Sequence, residues 1–364
     1  MEARAAEVAA KLALVRGAMR GCGEQSVVRL RGCDWFSWIT AGASNVVLLA
    51  ADTGIAEVLI SADEAWVLTS EIEAQRLRDE ELPAGFGLHG GRWSEPQERE
   101  QFTADLSGAG KVLSDQPAAG ETVLPSSIAE LKYTLMPAEI ERYREVGALA
   151  SQAMTDVLSV AQPGWTEHEL AGAGAEALWS RGLHPALTLA AGERRLPRYR
   201  HPTPTAAPLG KIAMLVFCAR GFGLYANLTR FVAFGAIGRE VAERHASVRE
   251  IEADALAQSR PGNTLDSVYR TLADSYSAHG FPDAIDQHHQ GGSTGYRSRE
   301  IVATSTTRLQ LHESMALAWN PSIVGAKIED TFLITAQGPE NLTYDERWPH
   351  QSVRGIARPL VLQR

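Results

Sequence analysis

Three histidines stand where neither a helix nor a strand pattern accounts for them. His201 lies in the proline-flanked loop RHPTP, and His288 and His289 adjoin in HHQGGSTGY. An imidazole titrates near ~6.5 and exchanges protons close to neutrality, so histidines at a cleft suit acid–base chemistry. Gly291 and Gly292 lack a Cβ and let the backbone approach a ligand closely. The plain alternative is a glycine-rich turn over a satisfied histidine pair. Arg299 and Glu300 can orient a substrate carboxylate or form a surface pair. Arg194, Arg195, Arg198 and Arg200 precede His201; a solvated basic loop is the default, recognition of an anion the alternative. Cys22, Cys33 and Cys218 show no metal-type spacing. Cys218, in an apolar strand pattern, reads as a small buried hydrophobe rather than a nucleophile.

A chain of 364 residues exceeds the ~250–300 that one core usually supports, so two domains are expected. With 45% apolar and 22% charged residues the balance is that of a globular protein. A net charge of -9 argues against nucleic acid as a partner, since phosphate binding needs clustered Lys and Arg. No stretch approaches the ~20 apolar residues of a membrane span. The sparse, odd cysteine count fits a reducing compartment. The N-terminal MEARAAEVAAKLALVRGAMR predicts an amphipathic helix rather than a signal peptide. A cytoplasmic protein is the expectation.

Residues 45–69 alternate apolar runs with turn signals and predict three strands: NVVLLAA, IAEVLIS and WVLTS. Residues 71–81 read as a charged helix, and the Gly-, Pro- and Ser-rich stretch 83–125 places a domain boundary near Pro125. Apolar residues at three- and four-residue intervals from Ile140 to Val160 predict a long helix that Pro163-Gly164 ends. Thr166 with Glu169 forms a capping box for the next helix, ending near Gly182. Strands are predicted over 212–219 and 224–234, helices over roughly 238–257 and 264–278, and strands again at MALAWNP and AKIEDTFLIT. Trp35, Phe36 and Trp38 read as core, with lining of a cleft as the alternative.

The segment VFCARGFGLYANLTR (216–230) resembles the metal-binding hairpin of the creatinase, aminopeptidase P and methionine aminopeptidase ("pita-bread") family. Other landmarks follow in the family's order: WTEHEL, His201 beside its proline, HHQGGSTGY, AWNPSIVG and KIEDTFLIT. DWFSWITAG and EIEAQRLRDEEL are similar to the family's N-terminal domain. The resemblance implies an α+β fold, with a smaller α/β creatinase-type N-terminal domain (1–125) before a pita-bread domain (126–364). It also implies a homodimer.

The family holds two metal ions with two Asp, one His and two Glu. A pair of divalent cations needs several anionic oxygens to offset its charge and fill its coordination shells. Carried over residue by residue, the resemblance puts these ligands on Val216, Asn227, His289, Asn320 and Glu329. Three are uncharged, so no metal pair and no cofactor is expected. Creatinase itself works without a metal. The resemblance therefore implies a metal-independent enzyme acting on a small amide-, amidine- or amino-acid-like substrate or a short peptide. The reaction would be C–N hydrolysis or a related acid–base step: elimination, cyclisation or isomerisation. His201, His289, Glu329 and Tyr296 are the expected catalytic residues. Tyr296 falls where hydrolytic members carry a second histidine; it can donate to an oxyanion but is a poor base. Asn227, Asn320, His288, Arg230 and Arg299 are expected to bind substrate, the two amides because they both donate and accept. An isolated Glu329 needs a cationic partner or an elevated pKa, which points to a cationic substrate group or a proton-transfer role; the plain alternative is a structural pair with Arg230 or Lys327. The alternatives are a non-catalytic pita-bread binding protein and a metal-dependent Xaa-Pro aminopeptidase.

Overall fold

A computed structural model describes residues 2–23 and 25–364. The chain divides into two compact units: Met1–Lys132 with Met136–Glu139, and Tyr133–Leu135 with Ile140–Arg364.

The first unit is α/β. Its elements are α1 (Glu2–Met19), β1 (Val27–Gly32), α2 (Cys33–Ile39), β2 (Thr53–Ile60), β3 (Ala65–Ser70), α3 (Glu71–Arg76), β4 (Gly87–Gly91), α4 (Gln97–Ser107), β5 (Val112–Ser114), β6 (Thr122–Val123) and α5 (Ser126–Ala129). The strands form one mixed sheet in the order β4-β3-β2-β1-β5-β6. Two of the three strands expected over 45–69 are present, paired antiparallel with Glu57 opposite Leu68. NVVLLAA is irregular instead, with Val47 and Leu48 62% and 67% exposed. The remaining edge of β2 is taken by β1, Val28 opposite Ile60, so no ladder position is left for that segment. Trp35, Phe36 and Trp38 on α2 are buried, as core packing requires.

The second unit carries α6 (Pro137–Val160), most of which lies in it, and α7 (Glu167–Trp179). They are followed by β7 (His184–Gly192), β8 (Ile212–Gly221), β9 (Leu224–Ala233), α8 (Arg239–Gln258) and α9 (Leu265–Ala278). Both partners of the capping box at Thr166 and Glu169 are in place. Then come β10 (Gly291–Thr294), β11 (Ile301–Val302), β12 (Ala316–Trp319), β13 (Ser322–Ile323), β14 (Ala326–Lys327), β15 (Asp330–Thr335), β16 (Gly338–Asn341), β17 (His350–Val353), β18 (Ile356–Pro359) and β19 (Leu362–Gln363). One sheet runs β19-β9-β8-β7 and a second β11-β10-β12-β15-β16. The apolar face of α6 (Val146, Ala150, Met154) packs with Leu170 of α7 on Phe217 and Leu228 of the first sheet. Val248 and Ile251 of α8 and Val268 of α9 pack on Trp319 and Phe332 of the second. The two sheets are joined by an isolated bridge from Thr229 to Glu329 and by hydrogen bonds from Asn227 to Thr331 and Thr294. This α+β layout puts every residue of the candidate site in one unit.

Candidate active site

Two loops bring the histidines together. His201 follows β7, and Glu167, fully buried in the first turn of α7, fastens that loop. The Glu167 carboxylate accepts from the backbone N–H of Gly192 (2.9 Å) and Thr205 (3.0 Å), from the Thr205 hydroxyl (2.7 Å) and from Arg195. The second loop, which leads into β10, is fastened by Gln290. Its amide donates to the carbonyls of His288 (2.6 Å) and Ile285 (3.0 Å), and its oxygen accepts from Tyr276 (2.8 Å). Arg200 links the loops by donating to Gln287 (2.6 Å).

The ring nitrogens of His201 and His288 meet, Nε2 to Nε2, at 2.9 Å. The His288 and His289 rings stack at 4.5 Å, and those of His201 and His289 lie 5.5 Å apart. His288 is buried, while His201 and His289 are exposed. All three are held below the usual imidazole range. Loss of hydration is the first cause for each, His288 falling to about 2 and His289 to about 4. The positive charge of Lys327 is the next cause for His201 and His288, that of Arg299 for His289. At neutral pH the three rings are uncharged.

Glu329 is 3% exposed and its charge is answered within the protein. Arg299 donates to it at 2.6 Å, Thr229 at 3.0 Å, and Lys327 lies 3.7 Å away. Burial alone pushes this carboxyl up, but Lys327 and Arg299 outweigh it and hold the group at about 2. Burial in turn draws Lys327 below the ordinary lysine value. Arg299 is thus in a buried pair, while Glu300 accepts from the backbone N–H of Tyr296 and Arg297. Arg230, expected to bind substrate, is engaged in the core. It donates to Asp330 (2.7 Å) and the Thr343 carbonyl (3.0 Å), and Arg358 holds the other Asp330 oxygen at 2.8 Å. That buried network fixes the start of β15, and with it Glu329.

Asn227 donates to Thr294 at 3.0 Å, its backbone N–H donates to Thr331 (2.8 Å), and the backbone N–H of Asn320 donates to the Gln290 carbonyl (3.1 Å). Both side chains are buried, and neither amide oxygen has a protein partner. Such oxygens call for a ligand or water. Tyr296 is 1% exposed in the turn after β10. Cys218 stands opposite Asn227; burial pushes its thiol up to about 12, and it stays protonated. The glycines after the histidines serve strand packing rather than close approach to a ligand. Gly291 has φ +102°, and a Cβ there would meet the Ala318 carbonyl at 2.0 Å; one at Gly292 would meet that of Ile301 at 2.1 Å. A groove of about 430 Å³ in the first unit, lined by Val8, Leu12 and Trp66 among others, contains none of the predicted site residues.

The profile of metallopeptidase family M24 matches residues 141–336, more than half of the chain. The chain belongs to this family. An uncharacterised peptidase of Staphylococcus haemolyticus is 26% identical over 239 residues, a match spanning 62% of this chain and 66% of that relative, just under two thirds of its length. Among solved structures, an Xaa-Pro dipeptidase from Bacillus anthracis superposes with a TM-score of 0.78 at 18% identity, covering 98% of this chain and 99% of that one. The N-terminal domain of a FACT complex subunit from Cicer arietinum (chickpea) superposes with a TM-score of 0.71 at 10% identity, over 93% and 96%. Both structural matches share the pita-bread architecture. No helix among the described residues is long and apolar enough to cross a membrane.

Family membership implies a metal pair, and the residues here do not fit one. Val216 is apolar and faces an apolar cluster with Leu189, Met214 and Phe231. Asn227 and Asn320 bring no charge. Glu329, the one carboxylate at the five carried-over positions, is already neutralised by Arg299 and Lys327. Two divalent ions would meet one anion and two cations, the reverse of what their charge requires.

Glu167 and Thr229 stand inside the WTEHEL and NLTR landmarks, but the sequence assigns neither a role at the site, and nothing local marks Gln290. The capping box at Thr166 and Glu169 pointed at the helix start but not at the carboxylate one residue in.

Proposed function

We propose that this M24 family member is a hydrolase or lyase of small amide-, amidine- or amino-acid-like substrates, short peptides included, that works without the family's metal pair. The observation that carries the reading is the convergence of His201, His288 and His289, uncharged, beside an ionised Glu329. A neutral imidazole accepts a proton at pH 7 without first losing one. His201, which is exposed, takes a proton from substrate or from an attacking water. His288, in hydrogen-bond contact with it, fixes the ring and receives or returns a proton through the Nε2 pair. The proton that His201 takes is the one delivered to the leaving nitrogen, by His201 itself or by way of His289, which gains it and releases it again, so that each ring ends neutral. Glu329 stays ionised and stabilises the positive charge that appears on an imidazole during transfer. The free amide oxygens of Asn227 and Asn320 accept hydrogen bonds from substrate N–H groups. Tyr296 is proposed as donor to a developing oxyanion. A homodimer in the cytoplasm is part of the same proposal.

A second reading, a binding protein that has lost catalysis, is favoured by the uncharged Val216, Asn227 and Asn320. The likeness to a domain of a multi-subunit complex is compatible with it. The test is a panel of N-acyl amino acids, amidines and Xaa-Pro dipeptides, screened first for thermal stabilisation and then for turnover. The enzyme reading predicts conversion that survives EDTA and is lost in His201→Ala and His289→Ala proteins of unchanged circular dichroism. A ligand that is bound and never converted supports the binding reading. Dipeptidase activity abolished by EDTA would refute metal independence.

A further inference from the structure

The ring nitrogens that suit proton transfer also lie close together, and a cation would take the place of the proton shared by His201 and His288. The ligand atoms offered by His201, His288 and His289 all lie within 4.8 Å of one another. Ligand nitrogens about 2.0–2.1 Å from a tetrahedral zinc ion stand roughly 3.3 Å apart. The His201–His288 pair at 2.9 Å has to open by a few tenths of an ångström, and ring rotation of the exposed His201 and His289 provides that. We propose that these histidines form a site for a single divalent transition cation, distinct from the family's carboxylate-rich pair.

An all-imidazole set selects Zn²⁺, Cu²⁺, Ni²⁺ or Co²⁺ and rejects Mg²⁺ and Ca²⁺, which require oxygen. Three protein ligands leave a fourth position open. The two loops that carry the ligands are already fastened by Glu167, Gln290 and the Arg200–Gln287 contact, so little ordering accompanies binding. Arg299 and Lys327 nearby oppose a cation, and Glu329 offsets part of that charge. The ion is therefore held reversibly. Resting on the acid–base reading above, its consequence is inhibition: a bound ion occupies the nitrogens that would move protons.

The test uses the full-length, untagged, metal-stripped protein titrated with Co²⁺, whose tetrahedral nitrogen complex absorbs in the visible. One Co²⁺ per chain, displaced by Zn²⁺ and unaffected by Mg²⁺, is expected. His201→Ala and His289→Ala should each weaken binding by about tenfold or more, and Lys327→Met should strengthen it. No visible band, two ions per chain, or wild-type affinity in either histidine variant would overturn the site. Binding is read without any substrate, so it stands or falls independently of turnover. On a substrate found by the screen above, Zn²⁺ should inhibit and EDTA should reverse it; Zn²⁺ restoring activity to stripped protein would overturn the inhibitory role.

Discussion

Removing the charge of Glu329 tests how this cleft balances its electrostatics. The carboxylate is 3% exposed and is contacted by Arg299 at 2.6 Å and Lys327 at 3.7 Å. Its folded value of about 2 against an ordinary 4.5 corresponds to about 3 kcal/mol of preference for the ionised form. Glu329→Gln forfeits that preference and leaves two nearly buried cations side by side. Truncating one partner of a buried pair costs about 3–5 kcal/mol. Lys327, already drawn toward neutrality by burial, can shed its proton, and the arginine side chain is 12% exposed. Both effects favour the lower end, about 3 kcal/mol at pH 7. The pH dependence has a definite sign. A depressed carboxyl value means that the stabilisation is complete above 4.5 and is lost as pH falls through that value toward 2. The gap between wild type and variant should therefore close across that window. Urea unfolding followed by the fluorescence of Trp319 and Trp348 in the second unit, at pH 7 and at pH 3, measures it. Adding Arg299→Met to the variant should cost little, because its partner is already gone. A gap under about 1 kcal/mol at pH 7, or one that does not change with pH, would refute the reasoning.

Three further outcomes follow from the packing. His245 is packed edge-on against Phe231 and held at about 3 by burial, then by the charge of Arg249. Its stabilisation is complete above the ordinary imidazole value and disappears as pH falls toward 3. His245→Leu should thus remove about 2 kcal/mol of the stability lost between pH 6.5 and 5, seen in paired urea curves. Gly291→Ala drives a Cβ into the Ala318 carbonyl at a φ of +102°, and should cost about 2 kcal/mol or more and disturb β10, measurable as a lower Tm. Glu167→Gln should loosen the His201 loop, with faster hydrogen exchange at Gly192 and Thr205 and lower kcat at nearly unchanged KM.

The second unit was legible because its elements follow simple periods. The apolar stripe from Ile140 to Val160, the Thr166 capping box and the β8–β9 hairpin all lie where the pattern put them. In the first unit β1 was hidden by its own chemistry. Arg29 and Arg31 break the apolar alternation of VVRLRG, yet Arg29 is 2% exposed because Glu57 (2.8 Å), Glu100 (2.7 Å) and Glu121 (3.1 Å) receive it. A centrally placed strand with a buried, fully paired arginine has no signature in a single sequence. NVVLLAA misled for the opposite reason: β propensity without a partner edge does not make a strand. At the site the residue types were readable, but the convergence was not. His201 and His288 are 87 positions apart, and no spacing rule links them. Nor does any rule show that Arg299, rather than Arg230, answers Glu329 while Arg230 binds Asp330.

Where the family's metal pair needs several anions, this site holds one carboxylate, already paired with Arg299 and Lys327. Crystals soaked in excess Mn²⁺ and measured at the manganese edge test it most directly. No anomalous peak is expected between Asn227, Asn320 and Glu329. Two peaks bridged by Glu329, with the arginine and lysine swung away, would contradict it.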